Sequence, residues 1–402
     1  MRRVFICTEV SFPRGGATSN YIEYLSLALT SGGYSPIVIG QGKNTEDDLQ
    51  NFNNRYIYNG IEYYNYSSKV NQSKFKIKRF IDANFHQGKQ IVNLLKKYQL
   101  TSEDYIIFYT TNCFTINQVL SFAKQQGTMA SMCITEHHRK SQFDNRLLYW
   151  RYKYSFNYSI AKTKSVIPIS RYLEKIFKDK DCNTLLLPIM ANPYEFSYDI
   201  KINKNKINFI YSGASFTKDS FETMLCSFLL LTKEEKENVC FHLTGVKREN
   251  LVKYLGGKKK ILDQLELENV INIHPWLEYR ELIELMKEMD YLFIARETNQ
   301  TTVANFPSKV PELMCYGVVP LVSRVGDYTD IYLSDGKDSI IFDGCSPEIG
   351  VKALRRAIHM SAESRITMRK NARETAEEKF FYGNWSNKII DFIEKCRTES
   401  IN

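Results

Sequence analysis

The feature that most constrains this chain is an alternation that runs almost its whole length. Short apolar runs closed by glycine or polar turns alternate with longer segments whose apolar residues recur every three or four positions. Residues 4–8 predict a strand. Ile22, Leu25 and Leu29 then predict a helix over 19–30, and 37–39 the next strand. Further strands are predicted at 105–109, 128–134, 165–169 and 185–189. An aromatic helix is predicted between 145 and 161, and a second helix begins behind Ser170 as cap. Residues 192–206 are polar, carry Pro193 and several Lys and Asn, and read as a linker. Alternation resumes with strands at 207–212, 239–243, 270–273 and 291–294 and helices at 220–231, 249–265 and 278–287. A last amphipathic helix lies at 385–395. Strands separated by helices must pair in parallel, because each connection has to cross back over the sheet. A chain of 402 residues is long enough for two such units of about 200 residues each.

Composition removes several classes of function. No apolar run approaches the ~20 residues of a membrane span, and the run 4–7 behind the basic N-terminus is too short for a secretory signal. The nine cysteines form no C-x-x-C pair, so neither zinc nor a disulfide framework is indicated, and reduced thiols in a cytosol are expected. Charge is uneven. Residues 1–200 hold 25 Lys and Arg against 16 Asp and Glu, whereas 201–402 hold 29 of each, so the whole excess of +9 lies in the first half. No helix-turn-helix, zinc-finger or RNA-binding aromatic signature accompanies it, which argues against nucleic acid. Solvated surface lysines and adhesion to an anionic membrane both account for it. Lys74, Lys76, Lys78 and Arg79 are its densest cluster.

The most informative stretch is residues 305–322, Asn-Phe-Pro-Ser-Lys-Val-Pro-Glu-Leu-Met-Cys-Tyr-Gly-Val-Val-Pro-Leu-Val. It predicts a turn, a short helix opening near Pro307, a stop at Gly317 and a buried strand. Ser308 and Lys309 then sit at a helix N-terminus, where free N–H groups favour an anion. Glu312 lies one turn further in, able to reach hydroxyls beside that anion. A diphosphate next to a ribose suits this arrangement; an ordinary helix–strand unit with a surface glutamate is the simpler reading.

This stretch resembles the nucleotide-sugar signature F-P-[ST]-K-x-x-E-x-x-x-x-G-x-P of retaining glycosyltransferases with the GT-B fold, the family 4 class, and its bacterial polysaccharide-assembly members in particular. In that class the second glutamate of an E-x7-E motif binds the donor ribose, a place Glu312 takes, while the first would fall on Ala304. Arg14-Gly15-Gly16-Ala17, in the first strand–helix loop, resembles the Gly-Gly loop near the donor phosphates. Residues 211–219, Tyr-Ser-Gly-Ala-Ser-Phe-Thr-Lys-Asp, resemble G-[SA]-x-x-x-K-D. There Lys218 is carried over as a phosphate ligand, and Ala214 replaces the usual arginine. Arg296, just past a strand, either restores that cation or forms a structural ion pair. Glu136 and His137 follow the strand ending at 134, where the class places groups that face the sugar and acceptor; they would bind hydroxyls or take a proton, with His138 a weaker candidate. The resemblance puts Trp276 near the nucleobase, though it could equally be a core residue.

The resemblance implies an α/β chain of GT-B architecture: two Rossmann-like parallel-sheet domains facing a cleft, 1–195 on the acceptor side and 196–381 binding the nucleotide-sugar donor, with 382–402 crossing back. It implies a retaining transfer from a UDP- or GDP-linked sugar to a glycan or lipid-linked glycan acceptor, as in capsule or other surface polysaccharide synthesis. No metal or cofactor is expected, because cations and helix termini would neutralise the leaving diphosphate. The expected location is cytoplasmic, peripheral on the inner face of the membrane. Two alternatives stay open: a degenerate scaffold that binds without turnover, prompted by Ala214 and Ala304, and a nucleotide-sugar epimerase of the same architecture.

Overall fold

The computed structural model describes residues 2–14, 16–50, 55–67, 76–195, 197, 206–213 and 218–398. They form two units: Met1–Met190 with Tyr382–Asn402, and Ala191–Phe381.

The first unit begins with β1 (Arg3–Thr8), α1 (Ala17–Ser31), β2 (Ser35–Gln41), β3 (Leu49–Gln50), β4 (Arg55–Tyr58) and β5 (Ile61–Tyr66). It continues through α2 (Lys76–Lys97), β6 (Tyr105–Tyr109), α3 (Cys113–Gln125), β7 (Met129–Ile134), α4 (Arg146–Tyr154), β8 (Ser165–Pro168), α5 (Arg171–Lys178) and β9 (Asn183–Thr184). Its nine strands run in the order β3-β4-β5-β2-β1-β6-β7-β8-β9. Among the described residues, only the β3–β4 and β4–β5 pairs are antiparallel. Val4–Cys7 and Ile106–Phe108 are fully buried, as strands covered on both faces must be.

The second unit holds β10 (Ile207–Ser212), α6 (Phe221–Leu229), α7 (Lys233–Glu237), β11 (Val239–Thr244), α8 (Arg248–Leu255), α9 (Lys260–Leu267) and β12 (Ile271–His274). There follow α10 (Tyr279–Lys287), β13 (Tyr291–Ile294), α11 (Gln300–Ala304), α12 (Lys309–Met314), β14 (Val319–Ser323), β15 (Ile340–Phe342), α13 (Pro347–Ile358) and α14 (Ala362–Thr375). Its sheet, β12-β11-β10-β13-β14-β15, is parallel throughout. All its strands therefore end on one edge, where a parallel sheet offers loops and helix N-termini to a ligand.

The final helix, α15 (Ser386–Thr398), belongs to the first unit. Ser386 Oγ donates to the Ala28 carbonyl at 2.7 Å, and Glu394 takes Arg2 at 2.7 Å and the Tyr34 hydroxyl. Gly32, just past α1, has no room for a side chain beside α15: a Cβ there would lie 2.5 Å from Ile390 Cγ1.

Three expectations need correction. Residues 185–189 are not a strand. Leu185 and Leu187 donate to the Val166 and Pro168 carbonyls, but β8 ends at Pro168 and the strand paired with it is only β9, Asn183–Thr184. The helix expected over 249–265 is two helices, α8 and α9, broken at Gly256-Gly257, where helical backbone is least favoured. The aromatic helix between 145 and 161 is α4 followed by one wide turn over Ser155–Ser159 and a tight one over Ile160–Thr163. It stops at Lys164, with φ 59°.

Candidate active site

Around Asp219 the second unit gathers groups from four elements at the carboxyl edge of its sheet. β10 supplies Tyr211, its following loop Gly213, Lys218 and Asp219, the segment after β13 supplies Arg296, and α12 supplies Lys309 and Glu312. The Asp219 side chain is 1% exposed, Arg296 3% and Lys309 14%. Asp219 Oδ1 takes Arg296 Nε at 2.5 Å, and Oδ2 takes Lys309 Nζ at 3.1 Å and the Tyr211 hydroxyl at 2.5 Å. Lys309 Nζ also sits 3.7 Å from the Tyr211 ring centroid, a cation over an aromatic face. Arg296 gives a second bond to Asn305 Oδ1 at 3.1 Å, and its backbone N–H donates to Ser323 Oγ at 2.8 Å. The sequence reading left Arg296 between phosphate ligand and structural ion pair; its guanidinium is held by Asp219.

Electrostatics give the cluster its character. Burial alone would push the Asp219 carboxyl up, but Lys309 and then Arg296, with the Tyr211 hydroxyl, hold it well below the usual carboxylate range. Burial, reinforced by Arg296, lowers the Lys309 ammonium from its ordinary value. Two cations share the Asp219 carboxylate, and the Glu312 carboxyl also acts on Lys309. Lys309 Nζ lies 3.6 Å from where a Cβ on Gly213 would stand, so a side chain there would sit against the ammonium.

Glu312 lies three residues after Lys309 in α12 and is half-buried. Burial pushes its carboxyl up to about 7; Lys309 opposes that, and Glu195 adds to it. Glu195 is itself raised by burial and accepts the Tyr279 hydroxyl at 3.1 Å. The far end of α12 is clamped by α14: Arg369 Nε donates to the Gly317 carbonyl at 3.1 Å and its Nη1 meets Asp290 at 3.4 Å. Gly317 has the positive φ, 65°, that a helix stop requires. Ser308 caps α12 only through its backbone. With six residues α12 has a weak dipole, so the Lys309 charge outweighs the helix terminus here.

Trp276 stands at the same sheet edge, two residues beyond β12, and is 81% exposed, so it is not a core residue. Ala304, where the first glutamate of the motif would fall, is fully buried at the end of α11.

Glu136 and His137 belong to the first unit, in the loop after β7. His137 lies flat on Phe156, centroids 4.1 Å apart and rings 9° from parallel, and its Nδ1 is 3.3 Å from the Tyr172 hydroxyl. Burial, then His138 and Lys180, lowers it to about 4. The imidazole is therefore neutral at pH 7, a hydrogen-bonding group more than a proton acceptor. Glu136 Oε2 is 3.4 Å from His138 Nε2. At the end of the first loop, Gly16 precedes α1 with φ 74° and ψ −154°, backbone that only glycine adopts readily. Gly15 lies outside the described residues.

The sequence reading missed Asp219, Tyr211 and Asn305. Asp219 had a signal, the Asp that follows Lys in the G-[SA]-x-x-x-K-D pattern. Tyr211 and Asn305 had none, since either could face a core or a solvent.

Residues 195–375, within the second unit, match the family model for glycosyl transferases group 1. The chain carries a group 1 glycosyltransferase domain. It is an enzyme of the transferase class. No curated protein matches it significantly. Among solved structures, a sucrose-phosphate synthase from Thermosynechococcus elongatus is similar at a TM-score of 0.71 and 13% identity, over 99% of this chain and 100% of that one. The Anabaena protein HepE in complex with UDP and glucose is similar at 0.69 and 11%, over 98% and 100%. The lipopolysaccharide outer core galactosyltransferase WaaB is similar at 0.65 and 13%, over 98% and 99%. These likenesses establish the fold of the glycosyltransferase as GT-B, built on two parallel-sheet units.

Proposed function

We propose that this glycosyltransferase transfers a sugar, with retention, from a nucleotide-diphosphate donor to a glycan acceptor, and that the second unit binds the donor while the first meets the acceptor. The observation that carries this reading is the Asp219 cluster, two buried cations on one carboxylate at the edge of a parallel sheet, one helical turn from a second carboxyl. A diphosphate would approach Lys309 past Gly213 with Lys218 beside it. The Glu312 carboxylate would accept from ribose hydroxyls, and Trp276 would offer a face to the base. Glu136 and His137 would hydrogen-bond sugar hydroxyls. The leaving diphosphate is then stabilised by fixed cations, the role a metal ion has in other phosphate sites.

UDP is the preferred nucleotide, since the similar Anabaena protein was solved with UDP and glucose. The likeness to a lipopolysaccharide galactosyltransferase favours a surface polysaccharide as product, with a lipid-linked acceptor and a peripheral position on the membrane. Among the described residues no helix is long and apolar enough to cross a membrane. Thermal-shift titration with UDP, GDP and their sugars tests the reading: a UDP-sugar should raise the melting temperature and Lys309→Ala should abolish the rise. No shift with any nucleotide would refute it. The buried Ala304 favours one other reading, a scaffold that binds without turnover. Donor turnover into a new glycosidic linkage separates the two.

A further inference from the structure

The outer face of α4 breaks the usual pattern of a surface helix. Its inner side is conventional: Tyr152, Phe156 and Ile160 are buried against the first unit. Its solvent side should be polar. Instead Leu147 is 59% exposed, Trp150 61%, Tyr154 47% and Tyr158 61%. Their spacing of three, four and four aligns them in one stripe along the helix and the turn that continues it. Cations flank the stripe. Arg146 and Lys153 lie on one side, with Lys153 Nζ 5.3 Å from the Trp150 ring centroid, and Arg151 lies on the other. Over residues 139–164 there are seven Lys and Arg against a single acid, Asp144.

Arg151 joins this stripe to a second feature. Its guanidinium lies 5.1 Å over the ring of Phe114, which lines an open groove of about 630 Å³ between α2 and α3. Phe85 and Phe122 form the apolar wall, and Lys89 and Lys96 stand at its sides, with Lys96 Nζ 5.7 Å over Phe122. No carboxylate is among the described residues that line it.

Aromatic and aliphatic side chains bordered by cations suit the boundary between headgroups and acyl chains, where rings settle and basic groups meet lipid phosphates. We propose that the Leu147–Trp150–Tyr154–Tyr158 face, with the adjoining α2–α3 groove, docks this chain on an anionic lipid bilayer. The stripe enters the interface and the groove receives a lipid headgroup between Lys89 and Lys96. This deepens the reading of the first unit as the acceptor side, by naming the surface that brings it to a lipid-borne acceptor.

Vesicle flotation of the full chain tests it, with phosphatidylcholine alone and with added phosphatidylglycerol at low salt. Wild type should bind the anionic vesicles at least about tenfold more tightly than the neutral ones. Trp150→Ser with Tyr154→Ser, and separately Lys89→Glu with Lys96→Glu, should each weaken binding about tenfold. All four side chains lie on the outside, so the melting temperature and the shift given by UDP should not change. Wild type that ignores anionic vesicles, or variants that bind like wild type, overturns the proposal. So does a wild-type dimer that Trp150→Ser splits without any vesicle binding, since the face would then join two copies. The UDP shift reads the donor site alone, so loss of vesicle binding with an intact shift leaves the donor reading standing.

Discussion

At the scale of single residues, Asp219 decides the most. It holds Arg296 and Lys309 in place at once, and removing its charge strands two buried cations. Asp219→Asn should therefore cost about 3–5 kcal/mol, as breaking a buried ion pair does, read as a lower urea midpoint. An unchanged midpoint would mean that the cations find other partners. Glu312 makes a different forecast. Glu312→Gln should weaken donor binding by about 1–3 kcal/mol, the range for a lost charged acceptor, measured by calorimetry. Its stability effect follows from a carboxyl raised from 4.5 to about 7. Between those values the folded protein holds a proton that the unfolded chain has lost. Stability from this group is full below about pH 4.5 and falls as pH rises through 7. Glu312→Gln should thus be more stable than wild type at pH 8, by on the order of 2–3 kcal/mol, and equal to it at pH 4. A difference in melting temperature that stays flat with pH would show that Glu312 is not raised.

At the scale of elements, the site depends on helices that never touch it. α12 is too short to hold its own orientation, and Arg369 of α14 fixes its end through the Gly317 carbonyl. α13 approaches α6 so closely that a Cβ on Gly350 would fall on Ser227 Oγ and 3.0 Å from Ser227 Cβ. Gly350→Ala should then cost about 1–3 kcal/mol by overpacking, despite alanine's better helix propensity, and chemical denaturation would read it. A gain in stability would mean that α13 can slide outward. In the first unit, the Lys74–Arg79 cluster offered the sequence's densest charge. Lys74 lies outside the described residues, and only the backbone of Lys76, Lys78 and Arg79 is described, in α2.

At the scale of the whole molecule, the forecast concerns chemistry. Sugar transfer should survive EDTA, because Lys309 and Lys218 would supply positive potential where a diphosphate leaves. Activity lost with EDTA and restored by Mg²⁺ or Mn²⁺ would overturn this. Much of the order of strands and helices was legible, because parallel α/β architecture imposes continuous apolar runs for strands and three-to-four spacing for helices, but β3–β5, α2, α3, β15, α13 and α14 were not read. The 105–109, 207–212 and 291–294 strands have the bounds that their apolar runs imply. Boundaries failed where the partner strand ran out past Pro168 and where Gly256-Gly257 broke a helix. Lys218, Lys309 and Glu312 were nominated from their places in motifs that resemble a family signature. What those groups meet was not legible. Asp219 and Arg296 are 77 positions apart and Asp219 and Lys309 are 90 apart. No local pattern can say that two cations will share one carboxylate. The sequence by itself determined the central strands of both sheets and the chemical types that follow them, because both depend on near neighbours. Only the tertiary structure decided which charges are buried together, and which face of α4 is left to solvent, because burial is set by what packs from elsewhere in the chain.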